Sequence, residues 1–189
     1  MRGFQIRKNS GFSIIALLVV IAVIVIIVSI GIPSLLSYRQ KAQLGKATRY
    51  VYADLQRTKM EATRNNRFCV FSFSQIVVDG TAYGFHVFID ESDPRNFVYD
   101  DGIDTFVTGY RTIDYPHVQI DKDYGGGDGM TFPDVGGWPV IAFAPDGLPK
   151  NPDGTLSSGS LYFNDGSENG RQISVSPAGS IQVTQYKAN

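Results

Sequence analysis

This 189-residue sequence has little cysteine, little histidine and, over one long stretch, no charge. A single cysteine, Cys69, cannot close an intrachain disulfide, so an exported domain of this size must rest on its hydrophobic core. Within the run Phe68-Cys69-Val70-Phe71 it is expected to be buried as a small hydrophobe. One cysteine and two separated histidines, His86 and His117, cannot supply the four closely spaced ligands of a zinc site. Neither histidine has a catalytic motif around it: His86 falls in an expected strand and His117 beside Pro116. There is no Gly-x-Ser-x-Gly elbow before a helix. The triple glycine Gly125 to Gly127 lacks the Gly-Lys-Ser/Thr ending of a phosphate loop and reads as flexible connection. No enzymatic reaction is expected.

The missing charge is local. From Asn9 to Tyr38 no acidic or basic side chain occurs, and Ile14 to Ile32 is almost wholly Ile, Val, Leu and Ala. Nineteen helical residues rising ~1.5 Å each reach roughly 28 Å, close to the ~30 Å of a bilayer's hydrocarbon and longer than a secretory h-region. A membrane span is expected there. The formal charge of −1 conceals a segregation of sign. Arg2, Arg7 and Lys8 precede the apolar stretch, and Arg39 to Arg67 holds eight basic residues against Asp54 and Glu61. Beyond Arg67, six basic residues face sixteen carboxylates. Basic residues flank the stretch on both sides, so they do not orient it.

After Gly31-Ile32-Pro33 a bend or local opening is expected, because proline lacks the amide donor and crowds the preceding turn. Leu44, Thr48, Val51, Leu55, Thr58 and Ala62 then recur at helical spacing as one face of an amphipathic helix, with Asn65-Asn66 as its stop. The rest reads as strands at Phe68–Ser74, Ala82–Ile89, Thr105–Ile113, Val118–Ile120, Val140–Phe143, Ser160–Phe163, Gln172–Val175 and Ile181–Thr184. Asp79-Gly80 joins the first two as a hairpin. Tyr124 to Pro139 is the largest irregular insertion. The expected class is α+β: a long N-terminal helix, a membrane span continuing into an amphipathic half, packed on a mostly antiparallel β head. The expected divisions are a leader at 1–11, an apolar helix at 12–38, its amphipathic half at 39–66 and a β-rich head at 67–189.

Lys8-Asn9-Ser10-Gly11-Phe12-Ser13-Ile14-Ile15, followed at once by the apolar run and Pro33, resembles the leader of type IV prepilins and type II secretion pseudopilins. The resemblance implies cleavage between Gly11 and Phe12 by a membrane prepilin peptidase and N-methylation of Phe12. It implies a cytoplasmic leader and an inner-membrane helix with the head in the periplasm. After assembly that helix becomes the core of a periplasmic or extracellular filament. Partners would be the peptidase, an inner-membrane assembly platform and other pilins or pseudopilins packed through the same helix. The family usually has glutamate at the fifth mature position, where Ala16 stands here. Minor tip pseudopilins also lack it, which implies a tip-proximal place.

A second resemblance, to GspH/FimT-type minor subunits, rests on Asp54 to Arg67, on Val140-Ile141-Ala142-Phe143-Ala144-Pro145-Asp146-Gly147 and on Ile173 to Val183. It implies a structural minor pilin or pseudopilin, of a type IV pilus or a type II secretion system, that initiates or caps a filament in protein transport. A tip-displayed head that binds a secreted protein, a surface or DNA is the alternative, and a membrane-anchored enzyme a more distant one. No cofactor is implied. Asp100, Asp101 and Asp104 are the calcium candidates, in a loop without the alternating acidic spacing and distal glutamate of a calcium-binding loop. Nucleic acid is not an expected partner, since the acidic distal region repels phosphate.

Overall fold

The computed structural model describes residues 14–111 and 116–188, and within the helix it leaves aside the side chains of 30–34 and 36. Two compact units divide the chain, Met1–Arg39 and Gln40–Asn189. One helix, α1 (Ile14–Asn65), supplies the described part of the first unit and continues into the second. Pro33 therefore does not end it, and the expected opening produces no break in the helical assignment. At its C-terminus Asn66 adopts a left-handed φ of 51°, and the Arg67 amide donates back to the Ala62 carbonyl at 3.2 Å. This is the Schellman closure that asparagine tolerates, at the expected stop.

In the second unit the helix buries Leu44, Ala47, Thr48, Val51, Leu55, Thr58 and Ala62. The two threonines cost little in the core because each hydroxyl is satisfied locally: Thr48 donates to the Leu44 carbonyl and Thr58 to that of Asp54, both at 2.7 Å. The described residues of this unit also form eleven strands: β1 (Cys69–Ser72), β2 (Ile76–Val78), β3 (Thr81–Tyr83), β4 (Phe85–Ile89), β5 (Thr105–Tyr110), β6 (Gln119–Ile120), β7 (Asp134–Val135), β8 (Trp138–Phe143), β9 (Gly159–Asn164), β10 (Asn169–Val175) and β11 (Ile181–Lys187). One sheet has the order β5-β4-β1-β8-β7, the other β11-β10-β9-β6, and β2-β3 form a separate ribbon. Every named pairing is antiparallel.

The expected first hairpin is present, with Cys69 opposite Ile89 and Ser72 opposite His86. Its tip is the β2-β3 ribbon, which closes through Asp79 (φ 49°) and Gly80 (φ 74°), the doubly positive pair of a tight hairpin turn. β1 and β4 are buried at every residue because both faces of their sheet are covered. Cys69, Phe71, Phe85, Val87 and Ile89 face a core shared with the helix and with Leu161, Phe163, Ile173 and Val175 of the other sheet. Phe68, Val70, Phe88, Val140 and Ala142 face a second core, closed by Phe97 with Tyr99 and Val135.

Two expectations change. The insertion Tyr124 to Pro139 contains β7 and is not wholly irregular. Gly125 to Gly127 are not a loose connector: φ values of 67°, 87° and 110° build a tight turn. A Cβ on Gly125 would stand 2.3 Å from the Met130 nitrogen, so backbone packing demands glycine there.

Candidate functional site

Function in a helix-led chain can reside in the helix surface or in the head. Gly11 and Phe12, the expected cleavage pair, lie outside the described residues, as does the side chain of Pro33. Ala16 is exposed on the first turns of α1. Around it no face of the helix is polar: the large apolar side chains from Ile14 to Val28 are 45–75% exposed. Full burial of one such side chain is worth about 1.5–3 kcal/mol, so the uncovered segment forgoes on the order of 10 kcal/mol. Among the described residues no helix is long and apolar enough to cross a membrane. The described side chains of the apolar stretch end at Ser29, short of the Ile14–Ile32 span expected from sequence.

The acidic segment of the head is organised around its own backbone. Asp90 accepts from the amides of Ser92 and Phe97, both at 3.0 Å. Asp104 accepts from Glu91 at 2.9 Å and from Asp100 at 2.8 Å, while Asp100 accepts from the Asn96 amide group at 2.8 Å. These bonds hold Phe97 under the sheet in a left-handed conformation of φ 57°. Its ring lies 5.5 Å from that of Phe68, which also carries Arg95 at 4.2 Å from its centroid. Burial raises the Asp104 pKa, its largest influence. Among the described residues no group of three or more histidine, cysteine, aspartate or glutamate side chains could hold a metal ion. Asp100 and Asp104, two of the calcium candidates, fasten the loop that covers the second core.

The histidines divide. His117 is exposed, whereas His86 is buried between Phe88 and Tyr99. Its Nδ1 faces the Ser74 carbonyl at 3.2 Å, and burial holds its pKa down at about 4. The Cys69 thiol is free and wholly buried, and burial pushes it up to about 12, far from a reactive thiolate.

The segments Asp54–Arg67, Val140–Gly147 and Ile173–Val183 meet at one place. Lys59 of the helix donates to the Gly179 carbonyl at 3.0 Å. Gly179 (φ 73°) sits so close to the Asp146-Gly147 turn that an added Cβ would be 2.7 Å from the Gly147 carbonyl oxygen. A lysine on the helix thereby fixes two turns from the two sheets. Sequence reading also missed a groove of about 590 Å³ lined by Lys41, Arg49, Tyr52, Arg171, Ile181 and Val183 among others. No local pattern signals it, because Arg171 comes from a strand remote in sequence from the helix.

A helix apolar on every side over its first described turns, followed by a face packed on antiparallel sheets, defines a helix-led α+β class. A family model described as Type II transport protein GspH matches residues 47–179. The chain belongs to the GspH family, within the type IV pseudopilin superfamily of GspH/FimT type. That family comprises structural pseudopilins rather than enzymes. No curated protein and no solved structure matches the chain.

Proposed function

We propose that this chain is a minor pseudopilin, cleaved between Gly11 and Phe12, that enters a filament through α1 and helps to initiate or cap it. The observation that carries this reading is an all-round apolar helical segment, exposed from Ile14 to Val28, joined to a head of the GspH family. A helix of that kind is stable in lipid before assembly and against other apolar helices after it, so one segment serves both environments. The inner membrane, the prepilin peptidase and the assembly platform are the partners this route requires, with the head in the periplasm and no cofactor.

Ala16 supports a place at or near the tip. A carboxylate in the apolar part of a helix costs about 2.5–3.5 kcal/mol on insertion, so it is kept where it meets a partner charge. A topmost subunit has no neighbour above it to neutralise. Mass spectrometry of the mature protein should find an N-methylated Phe12 at the N-terminus. An intact Met1, or cleavage elsewhere, would refute the processing. Ala16→Glu should raise the number of copies per filament, counted by quantitative immunogold labelling. An unchanged count would show that the missing carboxylate does not limit incorporation.

A further inference from the structure

We infer that the groove between the outer half of α1 and the β10-β11 hairpin binds the headgroup of an anionic phospholipid. Its wall on the helix is Lys41, Ala42, Gly45, Thr48, Arg49 and Tyr52, and its wall on the sheet is Arg171, Ile181 and Val183. At about 590 Å³ it has the capacity of a small-molecule site. Three cations line it and no carboxylate does. None of the three forms an ion pair among the described residues. In the adjoining hollow, which shares Lys41 and Arg171, the one carboxylate is Glu168, and Lys187 holds it at 3.0 Å. Among the described residues, no carboxylate therefore compensates the positive charge of the groove.

The polar atoms suit a phosphate. Arg49 spends Nε on the Gly45 carbonyl at 3.1 Å, which fixes its guanidinium over the glycine and leaves its terminal nitrogens as donors. Tyr52 accepts from the Gln56 amide group at 3.1 Å, so its own hydroxyl proton remains available. The Thr48 hydroxyl is engaged with the Leu44 carbonyl and contributes shape only. Beside these donors stand Ala42, buried Ile181 and 41%-exposed Val183, an apolar strip that free phosphate cannot use and an acyl chain can. Lys41 follows Tyr38, the last residue of the uncharged stretch, by three positions. The inference rests on the membrane-anchored reading, in which these residues emerge on the periplasmic side at the headgroup layer, where aromatic side chains such as Tyr52 sit at either interface.

The test uses the full chain in a neutral detergent, titrated with short-chain phosphatidylglycerol, short-chain phosphatidylcholine and inorganic phosphate, with binding read by calorimetry. Phosphatidylglycerol should bind saturably and at least ten-fold more tightly than the other two. The double variant Lys41→Gln/Arg171→Gln should weaken it at least ten-fold, and Lys122→Gln, outside the groove, less than two-fold. Val183→Glu removes no cation but places a carboxylate on the exposed lip, and should weaken binding to the same degree. Absence of saturable binding, indifference to these groove variants, or equal affinity for inorganic phosphate would overturn the assignment. Alkaline extraction of membranes carrying the chain reports separately on anchoring. Release there would sink the membrane reading, while binding in detergent would still stand or fall by the groove variants.

Discussion

At His86 and Asp54 burial acts in opposite directions on stability. His86 is neutral in the fold with a pKa near 4, against an ordinary 6.5. The unfolded chain therefore binds more protons, and stability falls as pH drops from about 6.5 towards 4. Asp54, on the buried side of the helix, is raised by desolvation to about 6 despite Arg57. There the folded chain holds the extra proton, so its contribution improves as pH falls from about 6 to 3.8 and is lost as pH rises. The two largely cancel in the wild type. His86→Gln should be more stable than wild type at pH 4.5 by about 2 kcal/mol once the difference at pH 7 is subtracted. Asp54→Asn should gain roughly 1–3 kcal/mol at pH 7 and steepen the loss towards acid. Urea unfolding at the two pH values measures both, and parallel curves for all three proteins would contradict the assignment of the burial effects.

The junction at Lys59 is where the helix and turns of both sheets are fastened. Gly179→Ala would place a Cβ at positive φ and 2.7 Å from the Gly147 carbonyl oxygen. Left-handed strain of about 1 kcal/mol and the displacement of a turn should together cost roughly 2–3 kcal/mol, a fall in melting temperature of about 4–10 °C. Lys59→Met keeps the aliphatic stem but loses the 3.0 Å bond to Gly179. It should cost about 1 kcal/mol, so a larger loss than in Gly179→Ala would place the anchor elsewhere. The helix and most strands were legible in the sequence because their signals are periodic or apolar. β7 was not, since two residues carry no period, and neither was the cover over the second core, whose Phe97 is placed by the hydrogen bond its backbone amide donates to the Asp90 carboxylate.

For the whole molecule the division after Arg39 separates a segment of exposed apolar side chains from a unit that buries its own core. A chain beginning at Gln40 should therefore fold cooperatively and sediment as a monomer. The full chain should associate when detergent is withdrawn, driven by the apolar surface of Ile14 to Val28. Association of the shortened chain to the same extent would move the adhesive surface into the head.

The sequence alone determined the apolar helix, the basic-then-acidic segregation and the resemblance at Gly11 and Phe12, because each is written in neighbouring residues or in a short period. Tertiary structure decided the rest. It engaged Asp100 and Asp104 in the hydrogen bonds that fasten their own loop. It made His86 a core residue, and it brought Lys59 to Gly179 and Arg171 beside Lys41 and Arg49. These pairings join residues more than a hundred positions apart in the chain, and only the packing of sheet on helix brings such groups together.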